Sequence, residues 1–129
     1  TGILAILASK MGAEDILAID YDENATENAA ENLKVNGVEN ISIATGELKD
    51  FQILPQDFIL ANINKPVLMM TIPSLTNLLS PEGILILSGI MKKDQSDIEN
   101  LAHQSGLDTL EIKEKGDWLA IKYGRQTTV

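Results

Sequence analysis

The sequence has no cysteine, which excludes a disulfide framework, a thiolate metal site and a cysteine nucleophile. A reducing, cytoplasmic setting is compatible with that absence. There is one histidine, His103, with no second His or Cys at ligand spacing, so no metal centre is expected. In a polar helical stretch it reads as a surface residue. Basic residues are scarce: 10 Lys and Arg against 19 Asp and Glu give a formal net charge of −9. That balance repels phosphate backbones and leaves little counterion release to drive association, so direct nucleic-acid binding is not expected. The densest basic spot, Lys92-Lys93, is a dipeptide and reads as a solvated loop. Long apolar runs are missing too, since the stretch around Gly83–Leu87 falls far short of the roughly 18 residues of a membrane span. Ser88-Gly89 lacks the flanking glycines of a nucleophile elbow, which removes the Ser-His-Asp hydrolase reading. No initiating Met, charged signal region or small-residue cleavage site opens the chain. Thr1-Gly2 runs straight into ILAILASKMG, and the sequence reads as cut at its N-terminus.

The 129 residues, 44% of them hydrophobic, suffice for one domain over 1–129, with no second domain. Ile3, Leu4, Ile6, Leu7 and Met11 recur at helical spacing and are closed by Gly12. Asp15–Asp20, reading DILAID, is a short apolar run of the kind buried on both faces of a parallel sheet. DENATENAAENLKVNG predicts a helix capped by Asp22, with Ala25, Ala29 and Leu33 on its buried face and Gly37 at its end. Ile41–Thr45 reads as a strand, Gly46-Glu47 as a turn, Phe51–Gln56 as a loop and Phe58–Ala61 as another buried strand. Pro66 suits the first turn of the next helix, whereas Pro73 predicts a break or kink near its middle.

Ser80-Pro81-Glu82-Gly83 predicts a turn, Ile84–Ser88 a strand, and Asp94–Ser105 a helix stopped by Gly106. Leu107–Glu114 and Trp118–Tyr123 predict a hairpin around Lys115-Gly116-Asp117, and Gly124–Val129 a frayed tail. Met69 and Met70 read as core filler and Trp118 as an anchor of the hairpin. This alternation implies an α/β fold: a Rossmann-like sheet with helices on both faces, a C-terminal antiparallel hairpin, and a first strand missing from the chain.

In such a sheet ligands bind outside the carboxyl ends of the strands, so the strand ends are where chemistry is sought. Asp20 ends the DILAI run about twenty residues after the Thr1-Gly2 glycine turn. A carboxylate there can accept both hydroxyls of a ribose. Asp22 is better explained as a helix cap. Gly46-Glu47-Leu48 could present amides and an acid to an adenine edge, and Gly2 would let backbone approach a ligand closely. Asn62, at the end of LAN, offers an acceptor and two donors where a transferring group would meet its acceptor, although an Asn before a helix is also an ordinary cap. Lys65 reads as solvent-exposed rather than as a base.

The segments TGILAILASKMGAEDILAIDYDENA, ENLKVNGVENI, FILANINKPVL, PEGILILSGI and GDWLAI, in this order, resemble the ribosomal protein L11 methyltransferases (PrmA type), within the class I S-adenosylmethionine-dependent methyltransferases. The similarity covers essentially the whole chain. It implies a seven-stranded sheet with the last strand antiparallel, the cofactor S-adenosylmethionine, and methylation of lysine or terminal amino groups of a basic ribosomal protein. Thr1 and Gly2 match the tail of the cofactor loop, Asp20 the ribose acid, Glu47 the adenine turn and Asn62 the acceptor-side residue beside the cofactor, the expected catalytic position. Asn64-Lys65-Pro66 departs from the family loop. The resemblance also implies a substrate-gripping N-terminal domain, which no segment of these 129 residues is expected to supply. In that arrangement the missing strand sits centrally, so its loss predicts unpaired backbone in the middle of the sheet.

Three other readings stay open on the sequence. One is a methyltransferase of this fold acting on another protein or a small molecule. The second is a nicotinamide-dependent oxidoreductase, which would also place an acid at Asp20, and the third is an inactive fragment. The sequence sets no oligomeric state.

Overall fold

The computed structural model describes residues 16–20, 31, 37, 41–45, 55–62 and 64–126. Its strands are β1 (Ile16–Asp20), β2 (Ile41–Thr45), β3 (Gln56–Asn62), β4 (Leu79–Met91), β5 (Leu107–Lys115) and β6 (Trp118–Arg125). Two α-helices are described, α1 (Lys65–Leu78) and α2 (Gln95–Gln104), with a 3-10 turn over Lys92–Asp94 before the second. The strands form one six-stranded sheet in the order β2-β1-β3-β4-β6-β5. β1, β2, β3 and β4 run parallel, and β6 is antiparallel to both β4 and β5.

Among the described residues, the strands in the middle of the sheet are paired on both sides. β1 pairs directly with β3, from Ile16↔Phe58 to Asp20↔Asn62, where a gap was expected. An open edge there would strand a row of N–H and C=O groups away from water, and direct pairing satisfies them. The core explains the apolar character of these runs. Leu17, Ile19, Ile59, Ala61, Leu85 and Leu87 share one buried cluster with Leu68, Ile72 and Leu75 of α1, Ile98 and Ala102 of α2, and Leu119, Ile121 and Tyr123 of β6. Side chains alternate across a strand, and Ile16 gathers Ala18, Phe58 and Leu60 into a second cluster.

α1 buries Leu68, Thr71, Ile72, Leu75 and Thr76, an i, i+3, i+4, i+7, i+8 stripe. Complete burial of Leu68, Ile72 and Leu75 contributes roughly 5–9 kcal/mol on area grounds. The helix runs unbroken through Pro73, so the predicted break does not occur. Pro73 lies on the exposed side, and the stripe holds both halves of the helix to the sheet.

Three other expectations are corrected. Ser80–Gly83 is not a separate turn but part of β4, where the pairing jumps from Gln56↔Leu79 to Phe58↔Ile84 and the extra residues loop out. Gln56 begins β3 rather than ending a loop, and it is buried. Gly124 and Arg125 are paired β6 residues rather than tail: Gly124 is the register partner of both Ile84 and Asp108.

The helix expected over Asp94–Ser105 is α2, and the hairpin is β5–β6 with Gly116 at φ 60° in its turn. Gly37 and Gly106 take φ 65° and 99°, the left-handed conformation that suits the residue after a helix. Glu31 is helical, as the pattern around it predicted. The helix expected over Ile3–Met11, the capping by Asp22 and the Gly46-Glu47 turn lie outside the described residues.

Candidate active site

Parallel pairing in register places four strand ends side by side. Thr45 is the partner of Asp20, Asp20 of Asn62, and Asn62 of Ser88. This row is the carboxyl edge of the sheet, where ligands of open α/β sheets bind.

Beyond Ser88 the β4–β6 register slips, passing from Leu87↔Ile121 to Ile90↔Leu119. One extra residue on β4 makes a β-bulge, and Gly89 within it takes φ 73°. A Cβ at Gly89 would collide with the Asn62 Oδ1. Glycine is therefore needed twice here, once for the backbone conformation and once to leave room for the carboxamide.

β3 leads through a short loop into α1, and this loop supplies the neighbouring groups. The Asn64 side chain accepts a hydrogen bond from the Val67 backbone N–H at 3.2 Å and so caps α1. The cap role that Asn62 could have filled thus belongs to Asn64, and Asn62 ends β3. Lys65 Nζ pairs with Asp97 at 2.7 Å and with Asp94 at 3.2 Å. Its hydrogen bonds to Asp97 and then to Asp94 raise its pKa, which favours the ammonium over the free base. It is not simply solvated either, because both partners hold it against the start of α2.

The outer wall comes from the antiparallel strand. Trp118 opens β6 and is the register partner of Met91 at the end of β4. The hairpin turn is tied to this edge by the Lys92 N–H, which donates to the Asp117 carbonyl at 2.9 Å, and by a Lys92–Glu114 ion pair at 2.9 Å. Asn62, Asn64, Lys65, Gly89, Asp94 and Trp118, over a floor that includes Leu68 and Ile98, enclose a cavity of about 330 Å³. This is the lower end of the size range of small-ligand sites.

Of the residues singled out from the sequence, Asp20 and Asn62 are brought together as register partners. Thr1, Gly2 and Glu47 lie outside the described residues. Sequence reasoning missed Asn64, Gly89 and Asp94, and it assigned Trp118 to hairpin anchoring, whereas its side chain is 53% exposed and lines the cavity. Met70, read as core filler, is 83% exposed. The signal for Asn64 was available, since Asn directly precedes Lys65-Pro66 at a helix start. No group of His, Cys, Asp and Glu that could hold a metal exists among the described residues. No described helix is long and apolar enough to cross a membrane.

The profile of the ribosomal protein L11 methyltransferase (PrmA) family matches residues 1–126. The ribosomal protein L11 methyltransferase of Acetivibrio thermocellus is 38% identical over 121 residues, covering 94% of this chain and 39% of that protein. The crystal structure of ribosomal protein L11 methylase from Lactobacillus delbrueckii subsp. bulgaricus superposes with a TM-score of 0.80 at 32% identity, covering 98% of this chain and 65% of that one. A methyltransferase from Pyrococcus furiosus shares the fold alone, with a TM-score of 0.75 at 16% identity over 98% of this chain and 71% of that one. This chain spans about two fifths of the length of its curated relatives, 39% in the Acetivibrio case. A match over nearly every residue, joined to the strand-end row and the antiparallel β6, places the chain in the ribosomal protein L11 methyltransferase family.

Proposed function

We propose that residues 1–129 form one catalytic domain that transfers a methyl group from S-adenosylmethionine to an amino group of a ribosomal protein, the L11 protein for which the family is named. The observation that carries this reading is the pairing of Asp20 with Asn62 at the carboxyl ends of neighbouring parallel strands. Adjacent strands lie about 4.8 Å apart, so one strand end can hold the donor while the next holds the acceptor. Asp20 would bind the ribose hydroxyls, Glu47 the adenine edge, and the backbone of Thr1 and Gly2 the remainder of the nucleoside. The acceptor half of this division is supported by Gly89, which leaves open the space that the Asn62 carboxamide occupies.

When bound, S-adenosylmethionine supplies a sulfonium methyl: the amine lone pair forms the N–C bond as the C–S bond breaks, a neutral thioether leaves, and the amine proton goes to water. The chain's own residues orient the acceptor and exclude water. The Asn62 amide oxygen would accept a hydrogen bond from the neutral amine and aim its lone pair at the methyl carbon. The net charge of −9 would attract a basic ribosomal partner over long range, and such a substrate fits a cytoplasmic protein.

Equilibrium dialysis against tritiated S-adenosylmethionine and NAD tests the cofactor, and mass spectrometry of labelled L11 tests the acceptor. Binding of NAD alone would sink the reading. Methyl groups confined to carboxylates, nucleic acid or a small metabolite would sink the assigned acceptor and leave methyl transfer standing.

A further inference from the structure

Lys65 is a cation in the first turn of α1, which contains no acidic residue, and the helix macrodipole disfavours positive charge at that end. Its ammonium reaches instead to Asp94 and Asp97, 29 and 32 residues further along the chain. Those carboxylates stand at the start of α2, where the dipole favours negative charge. Lys65 and Asp94 are 35% and 17% exposed, so this contact is partly sheltered from salt. Exposed ion pairs add little to stability, which suits this one to setting geometry rather than to holding the fold.

The geometry in question is that of the cavity. The ion pair joins two of its walls: the loop that carries Asn62 and Asn64, and the Met91–Asp94 segment that follows the Gly89 bulge. Asn64 is fixed to α1 by its own cap bond, so Lys65 and Asn64 are held at the same helix start. Beside the bridge, the two helices are joined by the apolar core they share, to which Leu68 of α1 and Ile98 of α2 belong; the bridge is the polar tie between them at the cavity.

We propose that Lys65 is a positioning residue, whose bridge to Asp94 and Asp97 sets the opening of the cavity and thereby the aim of Asn62 at the acceptor. The catalytic half of this inference rests on the methyl-transfer reading above. A displacement of about 1 Å in a reacting pair can cost on the order of 100-fold in rate. A loosened wall is expected to cost less, about tenfold.

The test is Lys65→Met in a catalytically competent protein containing these residues, with Lys113→Met as a control in an exposed, loosely paired lysine (78% exposed, 3.9 Å from Glu111). Hydrogen exchange should rise in both 62–68 and 92–98. The kcat should fall about tenfold and the KM for the acceptor should rise, with cofactor affinity unchanged. Lys65→Arg should restore most of the loss. Combining Asp94→Asn and Asp97→Asn with Lys65→Met should lower kcat no further, as expected for one shared interaction.

Unchanged exchange in either segment would overturn the bridge regardless of activity. Raised exchange with unchanged kcat would overturn the positioning role. A wild-type protein that transfers no methyl group would defeat the proposed function, while the exchange measurement still decides the bridge.

Discussion

Gly89→Ala separates the architecture of the site from the stability of the fold. Gly37, Gly89 and Gly116 have φ of 65°, 73° and 60°, and a non-glycine residue in this left-handed region costs about 1–2 kcal/mol. At Gly37 and Gly116 an added Cβ would meet nothing within 4 Å, whereas at Gly89 it would strike the Asn62 Oδ1. The struck atom is the end of a short side chain, so the clash is relieved by rotating the carboxamide rather than by shifting backbone. Its new position, however, is no longer the one proposed to face the acceptor.

All three alanine variants are therefore expected to lose a similar 1–2 kcal/mol by urea denaturation. Only Gly89→Ala should lose turnover, by roughly ten- to hundredfold in single-turnover methyl transfer. The reasoning is refuted by a Gly89→Ala protein that turns over at the wild-type rate. An equal loss in Gly37→Ala would point instead to a general loosening of the domain.

Three further outcomes are expected. Asp20→Ala should weaken S-adenosylmethionine binding by roughly 2–4 kcal/mol through loss of a charge-assisted partner. Asp22→Ala should lower stability by about 1 kcal/mol and leave affinity intact; calorimetry that ranks them the other way reverses the two acids. Asn62→Ala should reduce single-turnover rate much more than cofactor affinity, and equal losses would assign it to cofactor binding or loop structure. The Tyr123 hydroxyl is buried with no partner in hydrogen-bonding geometry among the described residues; its register partner Thr109 donates to Glu99 at 2.8 Å. Burial, then the Glu99 charge, raises the Tyr123 pKa above its ordinary 10.0, only partly offset by Thr109. Above about pH 10 the unfolded chain loses this proton while the folded chain keeps it, so stability should fall as pH rises. Tyr123→Phe should remove that slope above about pH 10 in urea titrations, and an unchanged slope would place its origin elsewhere.

The parts of the fold that were legible in the sequence are those where local pattern and tertiary environment agree. ILAID, ISIAT and DFILAN are short apolar runs that pair as parallel strands, with Ile16, Leu17, Ile19, Ile59 and Ala61 buried, and the ends of the first and last named Asp20 and Asn62. Gly106 follows a helix end because only a residue without a Cβ takes its φ cheaply. Local pattern failed where long-range contact overrode it. Pro73 should end a helix on propensity, yet Ile72 and Leu75 on either side are fully buried and hold the turn in place. Ser80–Gly83 has turn composition, yet pairing resumes on both sides of it and the residues loop out of a continuing strand. Lys65 offered no signal at all, because its partners stand 29 and 32 residues away.

Trp118 shows the same limit in a form that bears on catalysis. In a parallel strand the residue at the carboxyl edge of the sheet is the last, so Asp20, Asn62 and Ser88 could be found by reading each run to its end. An antiparallel strand reverses this, and its first residue reaches that edge. β6 pairs with β4 from Met91↔Trp118 to Ile84↔Gly124, so Trp118 arrives beside the cavity because it begins its strand. A parallel sixth strand would place Gly124 or Arg125 there instead and leave the wall without an aromatic face. The bulge at Gly89 completes the arrangement, since one extra residue on β4 shifts the register by which Met91 meets Trp118. The hairpin that distinguishes this sheet from a plain dinucleotide-binding fold is therefore also what supplies the outer wall of the site.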